Sequence, residues 1–436
     1  MEPGARYRRN TMPTPAQMSL IIFFLCIVMF VTEAFPMATT AMLGCILMVV
    51  SGVSTFPVVF GQFASSSVIL VISMMIVGRA MFETGAAQVV ARQLVRFSKG
   101  SERRLLFFSM VLCMLISAFM SNVATLAMFM SILSNLSCGN RRMDVRNLML
   151  PVAMGSVVGG VCTLIGSAPQ ITAQGVMEET LGQGVAFFEY AKMGSILCVA
   201  LLIYVCLVGY PLGKWIWRDR PAHCGEEAEA AELPETADGR KMMVCMAVFA
   251  VMGVLFFLEP VPIAVVGAGA AVLCIMTGCV SQKSAICGIS WSSVGKLAGC
   301  LGIMQAVNKS GGGQLIADAF CKVIGCSLAP HLLFAVMVLL TLFLSEFLTN
   351  STALLITLPI ALNICPQMGL NGYSFAIGIT LASSMALATP LSCTPMTMVM
   401  SAGYQFKDFA KYALPFDLMA CALIILLVPV FYPLAG

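Results

Sequence analysis

Two short polar runs, Ser121-Asn122 and Thr349-Asn350-Ser351-Thr352, stand near the middle of long apolar segments at 105–138 and 332–365. Hydroxyls and amides at that depth have no bulk water to bind, so protein, a cavity or a ligand must satisfy them. Two further breaks, Gly166-Ser167-Ala168-Pro169 and Pro390-Leu391-Ser392-Cys393-Thr394-Pro395, fall in the next apolar segment of each half. Proline removes a backbone donor and glycine relaxes the chain, so a helix carrying either run is predicted to break in mid-membrane. Four half-helix ends around one cavity offer two kinds of chemistry. Unpaired N–H groups at helix N-termini attract anions, and freed carbonyls and hydroxyls coordinate a cation such as sodium. The available groups are Ser117, Ser121, Asn122, Thr125, Gly166 and Ser167 in the first half. In the second they are Ser345, Thr349, Asn350, Ser351, Thr352, Ser392, Cys393 and Thr394.

The composition dictates which elements hold these groups. Hydrophobic residues make up 59% of the 436-residue chain and charged residues 10%, with a mean hydropathy of +0.95, far from the balance of a soluble protein. The apolar runs have the length of membrane-crossing helices, and not that of the alternating strands of an outer-membrane barrel. The class is therefore all-α and polytopic, with lipid as its surroundings. The net charge of +4 is not gathered into a basic tract with interleaved aromatics, so nucleic acid is not an expected partner. Eighteen cysteines are scattered through apolar segments, where cysteine acts as a small hydrophobe. With two histidines, His223 and His331, a zinc site with several histidine ligands is excluded. Neither a Walker sequence nor a nucleophile elbow occurs, so an ATP-driven pump or a membrane hydrolase lacks its reacting groups and no enzyme is expected.

The chain repeats itself at a shift of about 226 residues. Glu33, Pro36 and Ala38 return as Glu259, Pro262 and Ala264; Gly85, Gln88 and Ala91 as Gly311, Gln314 and Ala317; Asn122 as Asn350; Pro169 as Pro395. A single Ser-Asn pair in a membrane helix more often serves close packing or bonds back to helix carbonyls. Two pairs related by the internal shift favour a site. The halves are expected at 1–217 and 242–436, joined by a linker at 218–241 that holds the acidic stretch Glu226 to Asp238. Crossings are predicted at 18–33, 36–53, 66–83, 148–178 and 190–217, then at 242–258, 261–278, 291–308, 374–403 and 410–434. Amphipathic stretches are expected at 85–98 and 311–325. The 105–138 and 332–365 segments are too long for one crossing and too short for two, which suits a re-entrant hairpin. Five crossings and one hairpin per half invert the second copy relative to the first. Lysine and arginine fall mostly on the linker side, which places the linker in the cytoplasm of a bacterial inner-membrane protein. Arg6, Arg8 and Arg9 run against this rule; the first apolar run is nonetheless read as a membrane helix, because Glu33 and Pro36 have counterparts in the second half. Glu33 and Glu259 are read as helix terminators, and Glu346, with Ala118 as its counterpart, as an intramembrane acid.

The tips Ser121-Asn122-Val123-Ala124-Thr125 and Thr349-Asn350-Ser351-Thr352-Ala353 carry a family resemblance. So do Thr163-Leu-Ile-Gly-Ser-Ala-Pro169, Ala388-Thr-Pro-Leu-Ser-Cys-Thr-Pro395 and Ser345-Glu-Phe-Leu-Thr-Asn350. The chain resembles the divalent anion/sodium symporters, the sodium-coupled di- and tricarboxylate transporters, over essentially its whole length. The resemblance implies a homodimer in which a scaffold stays fixed while a transport domain moves the site like an elevator. It implies one sodium near Ser121, Asn122 and Gly166, and another near Ser345, the Leu348 carbonyl, Thr349, Asn350 and Ser392. The substrate carboxylates are expected at Asn122, Val123, Ser167, Asn350, Ser351, Thr352, Cys393 and Thr394. Val123 stands where the family usually has threonine, Gln170 and Met396 where it usually has asparagine, and Cys393 replaces a common threonine. The expected function is sodium-coupled symport of a small organic anion, a C4-dicarboxylate first among them. The alternatives are proton coupling or dicarboxylate exchange on the same fold, and an anion channel.

Overall fold

The computed structural model describes residues 14–32, 35–85, 101–138, 144–218, 239–258, 260–315 and 329–435. Arg6, Arg8, Arg9, Glu33, Gln88, Ala91, His223, Glu259, Ala317 and the acidic run of the linker lie outside them, as do most of the stretches 85–98 and 311–325. Among the described residues the chain is helical, with one isolated bridge, Leu370 to Ala435, and no other strand pairing.

The first helices are α1 (Pro15–Thr32), α2 (Met37–Val50), a short α3 (Phe56–Phe60) and α4 (Ser66–Glu83). The first hairpin is α5 (Glu102–Ser117) and α6 (Asn122–Cys138), and α7 (Arg146–Gly160) and α8 (Ala168–Leu181) flank an interrupted segment at 161–167. Next, α9 (Ala191–Tyr204) runs through a π turn at Val205–Gly209 into α10 (Tyr210–Ile216). The later helices are α11 (Gly239–Leu258), α12 (Ile263–Met276), α13 (Gln282–Cys287) and α14 (Trp291–Lys309). They are followed by α15 (Pro330–Phe347), α16 (Asn350–Ile364), α17 (Gly372–Ser384), the five-residue α18 (Thr394–Met398) and α19 (Phe406–Phe431). Among the described residues, six helical stretches are long and apolar enough to cross a membrane: Phe56–Glu83, Ala191–Ile216, Gly239–Leu258, Pro330–Phe347, Asn350–Met368 and Phe406–Phe431. Pro15–Phe30, Met37–Val50 and Ile263–Met276 are shorter apolar helices.

Local chemistry explains the boundaries. Pro36 and Pro262 precede α2 and α12 with nearly the same backbone angles (φ −52°, ψ 136° and φ −51°, ψ 135°), so the repeated Pro starts both helices in the same way. Gly85 and Gly311, another repeated pair, both adopt positive φ, 74° and 83°, which only glycine takes without strain. Helices cross closely where side chains are small: a Cβ on Gly299 of α14 would sit 2.8 Å from the Ala41 Cβ of α2. Both interruptions start earlier than the sequence suggests, since α7 stops at Gly160 and α17 at Ser384. The prolines downstream restart a helix, as Pro169 and Pro395 sit in the first turns of α8 and α18, while the chain ahead of them is already unwound.

The base of the first hairpin is fixed. The Glu102 carboxylate accepts from Asn147 Nδ2 (2.9 Å) and the Tyr210 hydroxyl (3.1 Å) and lies 3.6 Å from Lys214 Nζ, tying α5 to α7 and α10. Charge at the base and polar contacts at the tip leave the apolar arms between them to pack on α7.

Candidate functional site

Each hairpin tip presents an asparagine to an interrupted segment through one repeated set of hydrogen bonds. On the first side the Ser117 hydroxyl, at the end of α5, donates to the Ser156 carbonyl at 2.6 Å. The Asn122 amide, turned so that its nitrogen faces the acceptors, donates towards the Ser156 carbonyl (3.1 Å), the Gly166 carbonyl (2.8 Å) and Ser117 Oγ (2.8 Å). On the second side the Ser345 hydroxyl donates to the Ser383 carbonyl at 2.7 Å. Asn350 Nδ2 donates towards Ser345 Oγ (3.0 Å), the Ser383 carbonyl (3.2 Å) and the Ser392 carbonyl (2.9 Å). A second tie repeats as well: the Thr163 hydroxyl donates to the Ala118 carbonyl, and the Thr389 hydroxyl donates to the Glu346 carbonyl. An amide whose nitrogen is committed to carbonyls leaves its Oδ1 as an acceptor-only group facing the other way, the donor type that sodium takes.

Glycine permits this approach on the first side. A Cβ on Gly160 would strike the Asn122 amide and lie 2.9 Å from the Gly166 carbonyl; one on Gly166 would lie 2.8 Å from Gly160 Cα and 2.8 Å from the Ser117 carbonyl. The two starts of the restarted helices also match. Ser167 (φ −142°, ψ 146°) and Cys393 (φ −153°, ψ 150°) are extended residues whose side chains make no capping bond to the helices they precede.

Residues 27–330 and 254–434 match the citrate transporter family CitMHS. The chain belongs to this family. Among its relatives, the uncharacterized transporter sll0640 of Synechocystis is 31% identical over 193 residues, 44% of this chain and 31% of that protein. The uncharacterized transporter YfbS of Escherichia coli is 28% identical over 231 residues, 51% of this chain and 37% of that protein. The alignments with these two therefore cover well under half of their lengths. The sodium-dependent dicarboxylate transporter SdcS of Staphylococcus saprophyticus aligns almost throughout, 22% identical over 432 residues, 91% of this chain and 82% of that protein. The fold is similar to those of the Alcanivorax borkumensis YdaH transporter (TM-score 0.64, 13% identity, 97% of this chain and 100% of that one) and Neisseria gonorrhoeae MtrF (TM-score 0.62, 13% identity, 98% and 96%). The family resemblance seen in the sequence is borne out, and the chain is a multi-pass membrane protein of a transporter family.

In this citrate transporter family member the expected site residues differ in exposure. Ser121 is exposed, and its Oγ accepts from the Ala124 N–H at 3.2 Å, capping the start of α6. Val123 is 39% exposed on the open face of the first tip and not packed away. Asn350, Ser351 and Thr352 are buried, and the second tip leans on α2, with the Thr352 hydroxyl 3.3 Å from Met37 Sδ and 2.8 Å from the Thr349 hydroxyl. Ser345 Oγ donates to the Ser383 carbonyl and accepts from the Asn350 amide, which leaves one acceptor lone pair. Leu348 bridges the arms in extended backbone, Ser392 Oγ donates to the Thr389 carbonyl at 3.0 Å, and Thr394 is exposed. Gly166, Ser167 and Cys393 line the unwound segments.

Two groups are not singled out by the sequence, the carbonyls shared by the nests and Asp417, and a third, Gln170, stands out there only as a departure from the family's asparagine. The backbone carbonyls of Ser156 and Ser383, the shared acceptors, leave no side-chain signature. Gln170 is fully buried with neither amide atom hydrogen-bonded. Asp417, fully buried on α19, accepts from the Leu387 N–H at 3.1 Å and lies against the Glu346 carboxyl. An isolated acid in an apolar 26-residue helix was the available signal for it.

Proposed function

We propose that this chain is a secondary active transporter that couples sodium to the uptake of a small organic anion, a C4-dicarboxylate first among candidates. The observation that carries the reading is the twin asparagine nest: two neutral amides whose nitrogens are held by serine hydroxyls and backbone carbonyls, which turns each Oδ1 away from those carbonyls as an acceptor that suits a cation. Sodium held by Asn122 with Ser121 and Gly166, and by Asn350 with Ser345, Thr349, Leu348 and Ser392, offsets the charge of the substrate. The anion then meets Val123, Ser167, Ser351, Thr352, Cys393 and Thr394. The printed name of SdcS, a sodium-dependent dicarboxylate transporter, and that of the family, citrate transporter, support the substrate class. The two halves, 1–217 and 242–436 about a cytoplasmic linker at 218–241, act as inverted repeats in the inner membrane of a bacterium. A homodimer of fixed scaffolds carries the hairpins and interrupted helices in elevator fashion. One feature favours a second reading, proton coupling: among the described residues, the intramembrane acids Glu346 and Asp417 lie together without a basic partner beside them.

Uptake of labelled succinate into proteoliposomes under an imposed sodium, proton or counter-substrate gradient separates these readings. Uptake driven by sodium and lost when choline replaces it is the expected result; full-rate uptake in choline that follows a proton gradient overturns sodium coupling. A related expectation concerns selectivity. Because Val123 faces open space, Val123→Thr adds a hydroxyl beside the anion, and a charge-assisted hydrogen bond of about 1.5–3 kcal/mol tightens binding by about one to two decades. Competition by a matched panel of mono-, di- and tricarboxylates is expected to shift towards dicarboxylates, and an unchanged ranking removes Val123 from the site.

A further inference from the structure

Two cysteines that belong to neither nest lie against each other beside the first one. Cys162 is in the interrupted segment, next to Thr163, and Cys198 is on α9. Their sulfurs are 3.5 Å apart, and the Cys198 thiol also points at the Val158 carbonyl, 3.6 Å away. The approach reaches the backbone. Gly194, one turn earlier on α9, has no room for a side chain, since a Cβ there would lie 2.9 Å from Cys162 Cα and 3.2 Å from its amide nitrogen. Both thiols are only partly buried.

The same segment sets the first nest. Its Thr163 hydroxyl holds the Ala118 carbonyl of the hairpin, and its Gly166 carbonyl takes the Asn122 amide. Whatever fixes Cys162 therefore fixes the backbone on which the first tip rests. We propose that Cys162 and Cys198 are an oxidant-sensitive thiol pair whose disulfide locks the interrupted segment to α9 and stops transport, an inference that rests on the transport reading above.

The oxidant is a peroxide. One thiolate attacks a peroxide oxygen; the O–O bond breaks, leaving a sulfenic acid on that cysteine, and the released hydroxide takes the thiol proton as water. The second thiolate then attacks the sulfenic sulfur, the S–O bond breaks as the S–S bond forms, and the departing hydroxide leaves as a second water with the remaining thiol proton. The two thiols lose two electrons and one hydrogen peroxide gains them. A disulfide needs sulfurs about 2.0 Å apart, so the bond closes from the present 3.5 Å contact by bringing the sulfurs nearer.

The test treats the full chain in proteoliposomes with hydrogen peroxide, blocks the remaining thiols and maps the linked peptides. Sodium-driven uptake of labelled succinate is measured on the same preparation. A Cys162–Cys198 peptide is expected, with uptake falling in proportion to the fraction linked and returning on reduction. Cys162→Ser and Cys198→Ala are expected to keep the uptake of the reduced protein and to lose its sensitivity to peroxide. The proposal is overturned if oxidation maps instead to other cysteines, if the linked protein transports normally, or if peroxide still inhibits both variants. The peptide map is read without transport, so a reduced protein that takes up no labelled anion counts against the transport reading, while the linked peptide alone still decides whether the pair forms.

Discussion

Asn122→Ala and Asn350→Ala are each expected to reduce sodium-driven uptake at least about a hundredfold, the scale of removing one or two charge-assisted hydrogen bonds from a site. Each amide serves two tasks in the proposed site. Its nitrogen gathers two carbonyls and a serine hydroxyl from different segments, and its oxygen is the proposed sodium ligand. Truncation leaves buried acceptors unpaired, at about 1–3 kcal/mol each, so some loss of thermal stability accompanies the loss of function. The readout that separates the two is uptake per molecule of inserted, detergent-stable protein. The two variants are expected to behave alike, because the partners correspond one to one: Ser117 with Ser345, Ser156 with Ser383 and Gly166 with Ser392. Normal uptake by both places the site elsewhere.

Much of this is legible in the sequence because membranes make polar residues conspicuous. Asn122 and Asn350 stand out in apolar segments too long for one crossing, and two helices start at those very residues. The interruptions are announced by Gly166, Pro169, Pro390 and Pro395, although the unwinding begins earlier, after Gly160 and Ser384. The acceptors are not legible. A hydrogen bond from Ser117 to the Ser156 carbonyl can be made by any residue at position 156, so no residue type there reports it. Asp417 carries the signal of an acid inside a predicted crossing, but its pairing with Glu346 is not legible, because their contact spans two helices with no shared spacing. The short helices α3 and α13 and the π turn at Val205–Gly209 give no periodic signal of their own.

Gly160→Ala and Gly166→Ala are expected to have the second-largest effect, and it is steric. Either methyl enters space already filled by the Asn122 amide or by backbone of the facing segment, and backbone cannot yield as a flexible side chain does. Overpacking of this kind costs about 1–3 kcal/mol or displaces the tip by a comparable strain. Both variants are expected to lower the unfolding temperature of purified protein and to reduce uptake sharply. Gly78→Ala on α4, where an added Cβ meets nothing within 4 Å, is expected to do neither. Equal behaviour of Gly160→Ala and Gly78→Ala would mean that the tip does not close on Gly160 as described.

The twin nests as sodium sites are tested most directly by titrating sodium chloride, against choline chloride at constant ionic strength, into purified wild-type protein and following thermal unfolding. A ligand that binds the folded state alone stabilises it by RT ln(1 + [L]/Kd), about 2.7 kcal/mol at a hundred times Kd. A saturable, sodium-specific rise in Tm is expected for the wild type, a smaller one for Asn122→Ala and for Asn350→Ala, and none for the double variant. A rise of the same size in all four proteins, or a wild type that responds to choline as it does to sodium, contradicts the assignment.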